Sequence, residues 1–93
     1  DGGVDIIASK SSVGGGVERV IVQCKRWATP VGVDKARDLL GILSQDTSLS
    51  KGYLVTNNTL TQDCKNFCEN NGRLSYIDGP MLAHYITQFS IPL

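Results

Sequence analysis

One histidine, three cysteines and one tryptophan make this 93-residue sequence poor in the side chains that bind soft metals or stack on flat rings. A zinc centre is the first casualty: Cys64 and Cys68 fall four apart on a helical pattern, His84 lies on a different segment, and no other histidine exists. Core packing accounts for both cysteines. An odd number of cysteines at irregular spacing also argues against a disulfide framework and fits a reducing cytoplasm, the expected location. Long apolar runs are missing too. The longest, such as Val20–Val22 and Leu39–Leu43, fall far short of the roughly 20 residues that span a bilayer, so no membrane role is expected. Asp1-Gly2-Gly3 has neither a charged n-region nor an apolar h-region, which leaves nothing to argue for secretion. Excess charge of either sign is absent as well: nine Lys+Arg balance nine Asp+Glu. A polybasic tail is thereby excluded, and any anionic partner must be met by a local site.

What remains is one small domain over residues 1–93. A chain of this size buries only about 60% of its unfolded surface and is marginal alone. Val4–Ala8 is short and rich in branched residues, a strand preceded by Gly2-Gly3. Residues 9–17, with Gly14-Gly15-Gly16, read as a flexible loop. Glu18–Lys25 alternates as a second strand, Val20, Val22 and Cys24 on one face and Arg19, Ile21, Gln23 and Lys25 on the other. The two strands pair most simply as an antiparallel hairpin. After Thr29-Pro30-Val31-Gly32, the spacing of Val33, Ala36, Leu40 and Leu43, widened by Leu39, predicts a helix.

Gly52–Thr56 is expected as a strand buried on both sides. Leu60, Cys64, Phe67 and Cys68 mark a helix that Thr61 can N-cap and Gly72 can end. Leu74–Ile77 is a fourth strand. The last helix opens at Asp78-Gly79-Pro80, with Asp78 or Gly79 as cap and Leu82, Tyr85, Ile86 and Phe89 facing inward. Strands alternating with helices in this way form right-handed crossovers, so the fold is α/β: a mixed four-stranded sheet flanked by helices, with the hairpin as an antiparallel edge.

Glycine-rich signals mislead easily. Gly14-Gly15-Gly16 is followed by neither Lys-Ser/Thr nor a helix, so it lacks the parts of a phosphate-binding loop and reads as a hairpin tip. More informative is Asp5 on the first strand with Gln23 and Lys25 at i and i+2 on the second. Alternation sends Gln23 and Lys25 to the same face, and a suitable register brings the Asp5 carboxylate beside them. Phosphodiester hydrolysis needs such a set: a hard oxygen ligand to hold Mg²⁺ against the phosphate, a second oxygen ligand, and a cation that orients water and offsets transition-state charge. An edge strand with solvated polar residues is the bland alternative.

The segments Asp1–Ala8, Val20–Trp27 and Val31-Gly32-Val33 closely resemble the Mrr-like restriction endonuclease family of the PD-(D/E)xK nuclease superfamily. Lys51–Asn57 resembles its later strand, and Tyr76–Leu82 its "IDG..L" ending. The resemblance spans nearly the whole chain in order and spacing. It implies a restriction-endonuclease-like core that lacks its first helix, hence an N-terminally truncated catalytic domain. It also implies Asp5 as the metal-binding acid, Lys25 as the catalytic lysine, and Gln23 where most of the superfamily has Glu or Asp. The implied function is a metal-dependent DNA endonuclease using Mg²⁺, with Mn²⁺ as a substitute, in a restriction system; homodimers and a separate DNA-recognition domain are further implied partners. Two other classes stay open: a degenerate nuclease fold that binds nucleic acid or a partner protein without cutting, and a structural dimerisation unit.

Around the predicted site end, Lys10, Arg19, Arg26, Lys35 and Arg37 are candidate phosphate contacts, and Trp27 either stacks on a base or sugar or lids the core. Asp1 is a candidate extra acid near the metal. Cys24, between two site residues, is expected to face the other side, into the core. Thr56 and Asn57 end a parallel strand, where open α/β sheets place ligands, although capping of the next helix explains them equally well.

Overall fold

A computed structural model describes residues 4–11 and 14–88. Its elements run β1 (Val4–Ser11), β2 (Val17–Lys25), α1 (Val33–Gln45), β3 (Lys51–Thr56), α2 (Gln62–Glu69), β4 (Leu74–Ile77) and α3 (Gly79–Gln88). The strands form one sheet in the order β1-β2-β3-β4. β1 pairs with β2 antiparallel, while β2 with β3 and β3 with β4 are parallel. The order and type of every expected element hold. The chain advances across the sheet in one direction from β2 to β4, and right-handed crossovers then place α1 and α2 on the same face. There the core forms, from Ile21, Leu54 and Leu74 of the sheet, Ala36, Leu39 and Leu43 of α1, and Cys64 and Cys68 of α2.

Both hairpin strands outrun their expected bounds. Ser9–Ser11 continue β1 and Val17 begins β2, with Ser11 opposite Val17. The exposed polar side chains of Ser9 and Ser11 tolerate this because the hairpin extends past the core, where the ladder satisfies the backbone. At the tip, Gly14 and Gly15 have φ of 100° and 92°, left-handed values that an L side chain rarely adopts.

Alternation identifies which residues share a face, and the structure shows which face the helices cover. Ile21, Gln23 and Lys25 lie level with Gly52, Leu54 and Thr56 on the helix-covered side. Cys24, with Val20 and Val22, therefore faces away from the core and is half-buried, contrary to the expectation that it points inward. β3 is likewise buried on one side only, because Tyr53 and Val55 point to that second face and remain half-buried. α3 departs furthest from expectation. None of its residues is buried, and Tyr85 is 42% exposed. Leu82 and Ile86 are half-buried, Leu82 sharing a recess with Cys24 and Val55. Phe89, expected to face inward with them, lies outside the described residues.

The caps are local and follow sequence. Thr61 accepts a hydrogen bond from the Cys64 amide at 3.2 Å, starting α2. Asp78, rather than Gly79, caps α3 by accepting from the Met81 amide at 3.0 Å. The C-cap of α2 is Asn70, two residues ahead of the expected Gly72.

Candidate active site

The hairpin register places Asp5 directly opposite Gln23. Opposed residues point to the same face with Cβ atoms about 4.5–5.5 Å apart. Lys25, two residues along β2, shares that face and closes the ladder against Thr56 of β3. The three side chains differ in their surroundings. Asp5 is exposed on the edge strand, Gln23 is 7% exposed beneath the helices, and Lys25 is half-buried at the strand end. An acid, an amide oxygen and an ammonium are thus brought to one end of one sheet face. A recess of about 300 Å³ opens at the end of β2 and β3 beside Lys25, lined also by Arg26, Thr56 and Asn57 and, from the opposite sheet face, by Cys24, Val55 and Leu82; neither Asp5 nor Gln23 lines it.

The candidate phosphate contacts divide. Arg26 is exposed next to Lys25. Lys35, in the first turn of α1, stands 4.9 Å from the Trp27 ring centroid and 3.6 Å from the Asp34 carboxylate. Trp27 is half-buried and packs against the core, with the Lys35 ammonium over its ring. Arg37 lies over the Phe67 ring at 5.8 Å. Arg19 is not brought to this end: it sits six residues back along β2, about 20 Å away at the usual strand rise. Its guanidinium donates to Ser48 Oγ and its carbonyl accepts from the Ser50 amide, which ties it to the loop before β3. Lys10 occupies the register position opposite Glu18, at the same far end. Asp1 lies outside the described residues.

Thr56 and Asn57 do not cap α2, whose cap is Thr61. The Thr56 hydroxyl accepts from the Asn58 amide at 3.1 Å, and Asn57 Oδ1 accepts from the backbone N–H of Trp27 at 3.0 Å. Asn58, which sequence reasoning missed, donates from Nδ2 to the Trp27 carbonyl at 3.2 Å. No local pattern reveals such links, because the partners stand about thirty residues apart in the chain. Gly79 then brings α3 against this corner. Its N–H donates to the Asn58 carbonyl at 2.7 Å, and a Cβ there would meet the Asn57 carbonyl oxygen at 2.3 Å. Only glycine permits that approach.

Among the described residues no group of three or more His, Cys, Asp and Glu side chains stands together. The protein oxygens that the register sets together at this end are the Asp5 carboxylate and the Gln23 amide oxygen, the donor types that suit a hard cation. The two α2 thiols take no part: Cys64 is pushed up to about 12 by burial first and by the neighbouring Cys68 second, so it stays a neutral packing group.

Comparison with known proteins points the same way. A family model described as restriction endonuclease, of the Mrr catalytic type, matches residues 1–86. The chain is 28% identical over 88 residues to the type IV methyl-directed restriction enzyme EcoKMrr of Escherichia coli (strain K12). That match covers 95% of this chain and 28% of the enzyme, so the chain spans less than a third of this curated relative. No solved structure matches.

Proposed function

The chain belongs to the Mrr-type restriction endonuclease family, and from that premise we propose that it is the catalytic part of a metal-dependent endonuclease that hydrolyses DNA phosphodiester bonds. The observation that carries the reading is the register of Asp5 opposite Gln23, with Lys25 on the same face. Asp5 and Gln23 offer hard oxygen donors, one anionic and one neutral, and this chemistry suits Mg²⁺ or Mn²⁺. Such an ion, when bound, supplies positive charge at the phosphate and a more acidic water.

The chain's own residues do the rest. Gln23, held under the helices, fixes its amide oxygen without adding charge, so cation affinity leans on Asp5 and on the DNA itself. Lys25 donates an N–H to the attacking water and sets its ammonium against the negative charge that builds on the phosphate oxygens. Arg26 and Lys35 border that end and meet neighbouring phosphates. In a family whose relative is methyl-directed, methylated DNA is the substrate to test first, and the greater length of that relative leaves room for a separate recognition domain.

The direct experiment is cleavage or nicking of plasmid DNA, methylated and unmethylated, with Mg²⁺ or with EDTA, beside Lys25→Ala. Mg²⁺-dependent cleavage lost in the variant is the expected result. Equal activity in the variant sinks the assignment. A second reading, binding of nucleic acid without cutting, is favoured by the small number of acids at this end. It predicts no saturable Mn²⁺ or Ca²⁺ binding at Asp5 in the presence of DNA, measured by titration calorimetry.

A further inference from the structure

We propose that Asn57 and Asn58 are positioning residues for Lys25, acting as a side-chain extension of the β2–β3 ladder; this rests on the catalytic role assigned to Lys25 above. The ladder between β2 and β3 closes at Lys25 opposite Thr56. A residue at the end of a strand is where pairing frays. Two residues further on, however, Trp27 has both of its backbone groups engaged. Its N–H donates to Asn57 Oδ1 at 3.0 Å, and its carbonyl accepts from Asn58 Nδ2 at 3.2 Å. Neighbouring side-chain amides thus take the place of the backbone rung that would follow. Lys25 is converted from a terminal residue into one held between fixed points, Gln23 opposite Leu54 on one side and Trp27 on the other.

The clamp is itself anchored. The Asn58 amide donates to Thr56 Oγ1, Asn58 Oδ1 accepts from the Thr59 amide at 2.8 Å, and the Asn58 carbonyl accepts from Gly79. The Thr59 bond fixes the orientation of the Asn58 amide group: Oδ1 must face Thr59 N–H, which leaves Nδ2 for the Trp27 carbonyl. The Trp27 indole supplies a second sign that the backbone, rather than the ring, sets this position. Its Nε1–H is buried with no hydrogen-bond partner among the described residues, while both backbone groups are satisfied. A ring free to choose would bring its N–H to an acceptor.

Hydrogen-bond polarity makes the idea testable. Asn57 serves as an acceptor, so Asn57→Asp keeps the bond that Asn57→Ala removes. Asn58 serves Trp27 as a donor, so Asn58→Asp loses that bond and sets a carboxylate against a carbonyl, yet keeps the acceptor for Thr59. The experiment measures kcat and KM for Mg²⁺-dependent plasmid cleavage in the intact protein, with urea unfolding to follow the fold and amide hydrogen exchange at Lys25–Trp27. Asn58→Asp is expected to lower kcat by about 10- to 100-fold with KM little changed, the scale of a small misplacement of a reacting group. Asn57→Asp is expected to recover most of what Asn57→Ala loses, and faster exchange should accompany each loss.

If Asn58→Asp cleaves at the wild-type rate while Lys25→Ala is inactive, the positioning role is overturned and the proposed function stands. If Lys25→Ala retains full activity, or the wild-type protein does not cleave, both fall together. A rate loss in Asn58→Asp that only tracks lowered stability, with unchanged exchange at Lys25–Trp27 in the folded protein, also overturns the positioning role.

Discussion

Asp5 and Gln23 face each other across the antiparallel ladder, an exposed carboxylate on the edge strand against an amide that is 7% exposed on the strand inside it. The asymmetry suits them to different tasks in the proposed site. On the proposed reading, Asp5, which meets solvent, supplies the charge, while Gln23, buried beside it, supplies a neutral oxygen.

Gln23→Glu would place a second carboxylate beside Asp5. The half-saturating Mg²⁺ concentration for cleavage is expected to fall by about tenfold, since ligand charge governs the affinity of hard cations. Without the cation, like charge and burial should lower stability by roughly 1–3 kcal/mol. Urea titrations with EDTA and with Mg²⁺ measure both effects. A variant with unchanged Mg²⁺ dependence would remove Gln23 from the ligand set.

Gly79→Ala tests the close approach of α3 to the end of β3. Its Cβ would lie 2.3 Å from a backbone oxygen that cannot rotate away. A loss of about 2–3 kcal/mol is expected, with reduced cleavage because the same corner holds Asn58. Gly72→Ala meets nothing within 4 Å and is expected to stay within about 0.5 kcal/mol of wild type.

Stability should also fall in alkali, through the thiols of α2. The folded state holds Cys64 at about 12 against an ordinary 9.0, with burial as the main cause, and Cys68 is raised as well. A raised folded value favours the neutral thiol, so this contribution is fully present below pH 9 and is lost as pH rises from 9 towards 12. The wild-type urea midpoint should therefore drop more steeply between pH 8 and pH 10, about one unit either side of the ordinary 9.0, than that of Cys64→Ala. Parallel slopes would remove the thiol from the explanation.

The two arginines of β2 and its exit are expected to separate. Arg26 adjoins Lys25 at the recess, whereas Arg19 is bound to the loop before β3. Arg26→Ala should weaken DNA binding and reduce the salt slope by about one. Arg19→Ala should act on stability instead and leave the slope as it was. A reduced slope in Arg19→Ala would mean that DNA runs along the whole hairpin.

The element order, the pairing of Gln23 with Lys25 on one face and the Thr61 cap were legible because each depends on near neighbours: a period of two, a period of 3.6, a hydroxyl three residues from an amide. The register of Asp5 was legible as a possibility, and the assembled hairpin sets it opposite Gln23. The covered face was harder to read, and Cys24 was assigned to the wrong side. Alternation divides a strand into two sets without saying which set the helices will meet, and Val20, Val22 and Cys24 are as apolar as a core set. Nor could the Asn57 and Asn58 links to Trp27 be read, since they join residues that only the assembled sheet brings together.

Because β1 is an edge strand, bonded among the described residues to β2 alone, the acid and the lysine of the proposed site have unequal hold on the fold. Lys25 and Gln23 belong to a strand paired on both sides; Asp5 belongs to one that can peel away while the helix-covered core stays intact. On the proposed reading, competence to hold a cation then becomes a local equilibrium of its own. A population of molecules could then be fully folded by every measure of the core and yet have the proposed ligand pair taken apart, and DNA or a cation bridging that pair would draw β1 back into the sheet by mass action.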